Sequence, residues 1–217
     1  MGRVCSTLGR EGAPEKEAPQ TMETPVPEVN PATDALLAVD VQYDFLPGGA
    51  LGVPDGDRVI APLNRWLGVP GLFKIASRDW HPPDHCSFQA QGGPWPPHCV
   101  RGTRGAEFHE SFLSGAADLV VSKATKRDEE AYSAFDSPDL APALEKRGVR
   151  RLWIGGLATD YCVLASVLDA RKKGLEAFVI EDAVQGIDAK PGDCEKAVEQ
   201  MLEAGAVLVR TDEVLGG

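Results

Sequence analysis

The stretch RLWIGGLATDYCVLASVLDARKKGLEAFVI, residues 151–180, decides the fold. An apolar run, Arg151–Gly155, ends in two glycines. A helical pattern, Asp160–Lys173, follows and stops at Gly174, and a second apolar run, Ala177–Ile180, begins three residues later. Glycine after the last periodic residue is a helix stop. Two apolar runs joined through a helix are parallel neighbours in a sheet, because a hairpin cannot connect parallel strands.

The same rhythm extends outward. Ala35–Val39, Leu72–Ala76, Leu119–Ser122 and Val207–Val209 read as further strands, and 57–67, 138–147 and 191–204 as further helices. Strands that are apolar throughout, rather than alternating, are buried on both faces. The expected fold is therefore α/β: a doubly wound, mainly parallel six-stranded sheet with helices on both faces. Residues 34–217 form this domain. Residues 1–33 hold Pro14, Pro19, Pro25, Pro27 and Pro31, no aromatic residue and no apolar period, and read as a disordered extension.

Composition limits what such a domain does. The 217 residues carry 22 basic and 33 acidic side chains, a net charge of -11. So acidic a surface repels phosphate backbones and anionic lipid, which argues against nucleic-acid and membrane partners. No apolar run approaches the roughly 18 residues of a membrane span. Five cysteines without a C-x-x-C pair fit a reducing cytoplasm better than a disulfide framework. A small-molecule substrate is the remaining expectation, with a homo-oligomer left open.

Ligands of an open parallel sheet bind beyond the carboxyl ends of its strands. The reactive side chains fall there. Asp40 ends the first run, Asp79 and His81 follow the second, Lys123 follows the third, Cys162 follows the fourth, and Glu181 and Asp182 end the fifth. Cys162 at a helix start is a candidate nucleophile, since the free N–H groups there favour a thiolate and an oxyanion. Asp40 is the candidate general base, with Lys123 as its partner, while Asp44 reads as a loop-bonding aspartate. The long segment 77–117 is irregular and rich in proline, glycine and histidine, as functional loops are. Within it, Asp79, His81, His85 and His98 offer an N/O ligand set for one divalent metal ion that suits zinc, iron or manganese alike. Phe45, Trp80, Trp95 and Tyr132 are candidate pocket aromatics, and Trp80 reads better as packing. Cys86 and Cys99 read as packing residues, Cys5 and Cys194 as without chemistry, and His109 as a surface histidine.

Asp40-Val41-Gln42-x-Asp44-Phe45, Pro47-Gly48-Gly49-Ala50-Leu51, Asp79-Trp80-His81-Pro82, Trp95-Pro96-Pro97-His98-Cys99, Tyr132-Ser133-Ala134-Phe135 and Gly156-Leu157-Ala158-Thr159-Asp160-Tyr161-Cys162 occur in that order, with Lys123 between the fourth and fifth. This set resembles the nicotinamidases (pyrazinamidases) of the isochorismatase-like hydrolases, over about residues 34–210. The resemblance implies a triad of Asp40, Lys123 and Cys162, metal ligands Asp79, His81 and His98, and His85 as a further ligand or pocket residue. It also implies a cis peptide between Leu157 and Ala158 that turns the Ala158 and Cys162 N–H groups toward an oxyanion, and a ring-binding pocket of Phe45, Trp95 and Tyr132. The implied activity is hydrolysis of the carboxamide of nicotinamide, and of pyrazinamide, through a cysteine thioester. Two alternatives stand beside it: another amidase of the superfamily, acting on an N-carbamoyl or ureido compound, and a non-catalytic interaction domain that retains the fold.

Overall fold

A computed structural model describes residues 27–216 of the chain. Six strands form one sheet: β1 (Asp34–Val39), β2 (Phe73–Asp79), β3 (Leu119–Lys123), β4 (Arg151–Leu157), β5 (Glu176–Gln185) and β6 (Val207–Val209), in the spatial order β3-β2-β1-β4-β5-β6. Every pairing is parallel. The helices are α1 (Ile60–Leu67), α2 (Leu140–Arg147), α3 (Leu164–Lys172), α4 (Asp193–Glu203) and a short α5 (Thr211–Leu215).

The alternation along β1 explains why both faces are covered. Leu36 and Ala38 pack on one side with Leu63 and Trp66 of α1, while Ala35, Leu37 and Val39 pack on the other with Leu140 and Leu144 of α2 and Val167 of α3. All six residues of β1 are buried. The strand order reverses between the neighbours β1 and β4, and the loops leaving these two strands part there, one toward β2 and the other toward β5. That is where a ligand crevice opens in a doubly wound sheet.

The double glycine after Ile154 serves this opening. Gly156 has φ +125°, and a Cβ on it would stand 2.0 Å from the Val39 carbonyl oxygen. Only glycine permits β4 to approach β1 so closely at its exit.

Residues 1–26 of the extension expected over residues 1–33 fall outside the described residues, while Glu28 and Asn30 within 27–33 bond β4 and β1. Arg151 donates from Nη2 to the Glu28 carbonyl at 2.6 Å, and the Asn30 N–H donates to Asp34 at 2.9 Å. Asp34, 1% exposed, also accepts from Arg151 Nε (2.7 Å), Arg151 Nη2 (2.6 Å) and Trp153 Nε1 (3.0 Å). One buried carboxylate thus satisfies a guanidinium and an indole on the neighbouring strand.

Asp34→Ala should therefore leave the Trp153 indole and part of the guanidinium without partners, costing about 2–4 kcal/mol. Urea unfolding should show a lower midpoint at an unchanged slope. A midpoint equal to that of the parent chain would contradict this account of the strand pair.

Candidate active site

Asp40 stands immediately beyond β1 with φ +52°, a left-handed conformation that turns its side chain into the crevice. Its N–H donates to the Ser77 carbonyl at 3.1 Å, and its Oδ1 accepts from Ser77 Oγ at 2.7 Å. Oδ2 faces Lys123 Nζ at 3.0 Å. Lys123, the last residue of β3 and 1% exposed, also donates to Asp79 Oδ1 and, at 3.4 Å, to Cys162 Sγ. Asp79 ends β2 directly across from Lys123 in the sheet register. Cys162, 6% exposed, sits in a single π-helical turn, Thr159–Val163, between β4 and α3. Its sulfur lies within 4.8 Å of a carboxylate oxygen of Asp40 and of Asp79.

Burial is the dominant electrostatic influence. It raises the Asp40 carboxyl, and Lys123 opposes the shift without cancelling it. Burial opposes charge on Lys123 as well, but Asp40 and Asp79 hold its pKa well above the ordinary value, so it remains an ammonium. Burial would also raise Asp79; there Lys123 and His81 prevail and hold it below the usual carboxylate range. The Cys162 thiol is pushed well up by burial, with Asp40 and Asp79 adding to the effect and Lys123 opposing it. Burial and the two carboxylates thus act against the thiolate that the helix start favours, and a sulfur held as a thiol requires a base at the moment of attack.

The candidate ligands divide into two groups. Asp79, His81 and His98 converge: Asp79 Oδ2 lies 3.5 Å from His81 Nε2 and 4.0 Å from His98 Nε2. His98 gives its Nδ1 proton to the Pro96 carbonyl at 2.8 Å, which leaves the Nε2 lone pair facing Asp79. Both ring nitrogens of His81 are buried without a hydrogen-bond partner among the described residues. Such orphaned nitrogens are costly in a dry site and fit a cation as their missing partner. An acceptor-only carboxylate with two imidazoles is a donor set for zinc or another first-row divalent ion.

His85 is placed differently. Its Nε2 donates to the Glu129 carbonyl at 3.0 Å, and its Nδ1 accepts from Ser87 Oγ (2.7 Å) and Ser87 N–H (3.2 Å). Burial, reinforced by neighbouring His81, lowers its pKa and favours this neutral tautomer. With both nitrogens engaged in these bonds, His85 lines the pocket apart from the converging Asp79, His81 and His98.

The pocket encloses about 510 Å³, including its solvent-open mouth. Cys162, Asp79, His81 and His98 line it together with Phe45, Trp95 and Tyr132, and Trp95 Nε1 donates to the Tyr132 hydroxyl at 3.0 Å. Trp80 lies under the Arg78 guanidinium, 3.8 Å from its ring centroid, and packs as expected. The Leu157–Ala158 peptide is cis, and the Ala158 N–H donates to no acceptor among the described residues. Glu181 and Asp182, placed at a strand end by the sequence reading, lie inside the longer β5. They bond Arg210 and the Thr211 N–H, away from the pocket.

Several pocket residues were not apparent in the sequence. Tyr161 and Ile187 line the mouth, and Tyr161 meets Trp95 edge to face at 5.3 Å. Ile187 is delivered by Asp160, whose two carboxylate oxygens accept the N–H groups of Ile187 and Asp188, each at 3.0 Å. Gln42 grips the Asp79 backbone from both sides, accepting its N–H and donating to its carbonyl, each at 2.8 Å. Only Ser77 carried a signal: a small polar residue directly after the run Leu72–Ala76 and two positions before Asp79.

Comparisons with known proteins agree with this geometry. The isochorismatase domain pattern matches residues 34–213. The nicotinamidase of Acinetobacter baylyi is 37% identical over 203 residues, covering 83% of this chain and 94% of that one. The pyrazinamidase of Pyrococcus horikoshii, solved in complex with zinc, superposes with a TM-score of 0.77 at 49% identity, covering 82% of this chain and 98% of that one. PnC1 from L. infantum, solved in complex with nicotinate, gives a TM-score of 0.82 at 34% identity, covering 86% and 97%. The chain is a member of the isochorismatase-domain family.

Proposed function

We propose that the chain is a nicotinamidase, an amidohydrolase that converts nicotinamide to nicotinate and ammonia and accepts pyrazinamide as well. One observation carries this reading: a single aromatic-walled pocket presents a buried thiol with its Asp–Lys pair beside a convergent Asp–His–His set. A pyridine carboxamide has a matching pair of features, an electrophilic carbonyl and a ring nitrogen held rigidly apart. The Acinetobacter baylyi relative and the nicotinate-bound L. infantum structure support the same substrate class.

In this reading Phe45 and Trp95 orient the flat ring and Tyr132 closes the pocket beside Trp95. Asp79, His81 and His98 would hold a divalent cation, which we assign as zinc by likeness to the Pyrococcus horikoshii protein, and it would supply a Lewis-acid anchor for the ring nitrogen. Asp40, its carboxyl raised by burial, takes the Cys162 proton as the sulfur attacks the carboxamide carbon. The negative charge then on the carbonyl oxygen is held by the Ala158 and Cys162 N–H groups. Asp40 returns the proton to nitrogen as the C–N bond breaks and ammonia leaves. A water then attacks the thioester. Asp40 takes its proton and gives it back to sulfur, releasing nicotinate and restoring the thiol. Lys123 remains charged throughout and keeps Asp40 and Asp79 from repelling one another. Among the described residues no helix is long and apolar enough to cross a membrane, and we assign the enzyme to the reducing cytoplasm.

Cys162→Ala should lower ammonia release from nicotinamide by at least about 10³-fold while the protein still binds nicotinate. Retained turnover would exclude the thioester route. Removing metal with a chelator should raise KM for nicotinamide far more than KM for benzamide, which lacks the ring nitrogen. Equal KM changes for the two amides in verified metal-free protein would contradict the anchoring role. Ser77→Ala, which deprives Asp40 of one hydrogen bond, should lower kcat roughly 3- to 10-fold with KM little changed. An unchanged kcat would show that Ser77 does not orient the base.

A further inference from the structure

Only one layer of chain separates part of the pocket from a second hollow. Glu130 and Ala131 line the active pocket on one side and, on the other, a recess of about 660 Å³ bordered by Lys126, Asp136 and Pro138. This wall lies in the connection after β3 and continues into Tyr132, the acceptor of the Trp95 indole. The recess, open to solvent, leaves the outer side of this wall without packed side chains behind it.

Three ties reach it from residues 84–86. The Cys86 N–H donates to the Arg127 carbonyl at 2.8 Å. Arg127 pairs with Asp84 at 2.9 Å, but both side chains are more than half exposed, at 57% and 55%, so this tie is weak. The third is His85 Nε2 to the Glu129 carbonyl at 3.0 Å, and His85 is wholly buried. The imidazole is itself immobilised. Ser87 holds Nδ1 through both its hydroxyl and its N–H, and the ring packs against His81 at a centroid distance of 4.3 Å.

We infer that His85 is a positioning residue that pins the Glu129–Tyr132 wall to the Asp79–His81–His98 side of the site, and thereby limits the size of ring the pocket admits. The inference rests on the nicotinamidase reading and extends it: this wall excludes substituents on the ring, and His85 sets its place without holding metal.

The test compares metal content, KM and kcat for nicotinamide and for 5-methylnicotinamide in the parent chain, His85→Ala and His85→Gln. His85→Ala should keep the parent's metal per chain and a kcat within about threefold. Its KM for nicotinamide should rise about tenfold, as for one lost buried hydrogen bond, and its discrimination against the methylated amide should fall by a similar factor. His85→Gln, which can still donate to the Glu129 carbonyl, should restore most of both. His85→Asn is too short to reach that carbonyl and should behave like His85→Ala, so it serves in its place if the alanine variant does not fold. Loss of metal in step with activity would overturn the inference, because His85 would then support the ion. Unchanged KM and selectivity would overturn it, as would failure of folded His85→Gln to restore them. A parent chain inactive on nicotinamide would overturn the functional reading itself, and this inference with it.

Discussion

A buried lysine ammonium is the constraint that the rest of the site satisfies. Taking an ammonium out of water costs several kcal/mol unless opposite charge and good hydrogen-bond geometry meet it. Lys123 is met by Asp40 from β1 and Asp79 from β2, each on a different strand, with Cys162 as its third contact. The two carboxylates depend on the lysine equally, since two buried anions this close cannot both persist without a cation between them. The cluster therefore works as a unit: its cation lets the base and the Asp79 ligand coexist, and its sulfur is drawn to the same point.

This unit fixes the sheet as firmly as the sheet fixes it. Asp79 and Lys123 are register partners, and Asp40 follows Val39, the partner of Ser77. A slip of one residue in either strand pair would turn a charged side chain to the opposite face and leave its partner uncompensated. The loops then add what the strands cannot. His98 is brought beside His81 through a short parallel bridge between His81 and Val100, and Asp44 holds that turn by accepting the Cys99 N–H at 2.7 Å. On the other side, the π turn after β4 places the thiol rather than a peptide group at the crevice.

Much of this was legible in the sequence because burial on both faces leaves an unmistakable apolar run. All six expected runs are strands, although β2, β3, β4 and β5 extend further at their exits than the expected runs, since the residues there stay in the ladder whatever their polarity. The four expected helices were placed within a turn, except that residues 160–163 of the expected 160–173 helix belong to the π turn, whose extra residue no periodicity reveals, and the short α5 was not expected. Asp40, Lys123, Cys162, Asp79, His81 and His98 were readable because strand exits are few and reactive side chains there stand out. The role of His85 was not, since it depends on which nitrogen meets the Glu129 carbonyl, 44 residues away. Tyr161, Ile187 and Gln42 were hidden for the same reason: their partners are distant in sequence, and a tyrosine, an isoleucine or a glutamine in a loop has many ordinary uses.

In the proposed mechanism Lys123 is the condition for chemistry at sulfur, because without it Asp40 and Asp79 must share a proton and the base is lost. Acid-quenched mass spectrometry of the Cys162 peptide, after brief mixing with nicotinamide, tests this most directly in the parent chain and in Lys123→Met. A nicotinoyl thioester on Cys162 in the parent, and none in Lys123→Met, is the predicted result. No adduct in an active parent chain, or equal adduct in the two proteins, would contradict it.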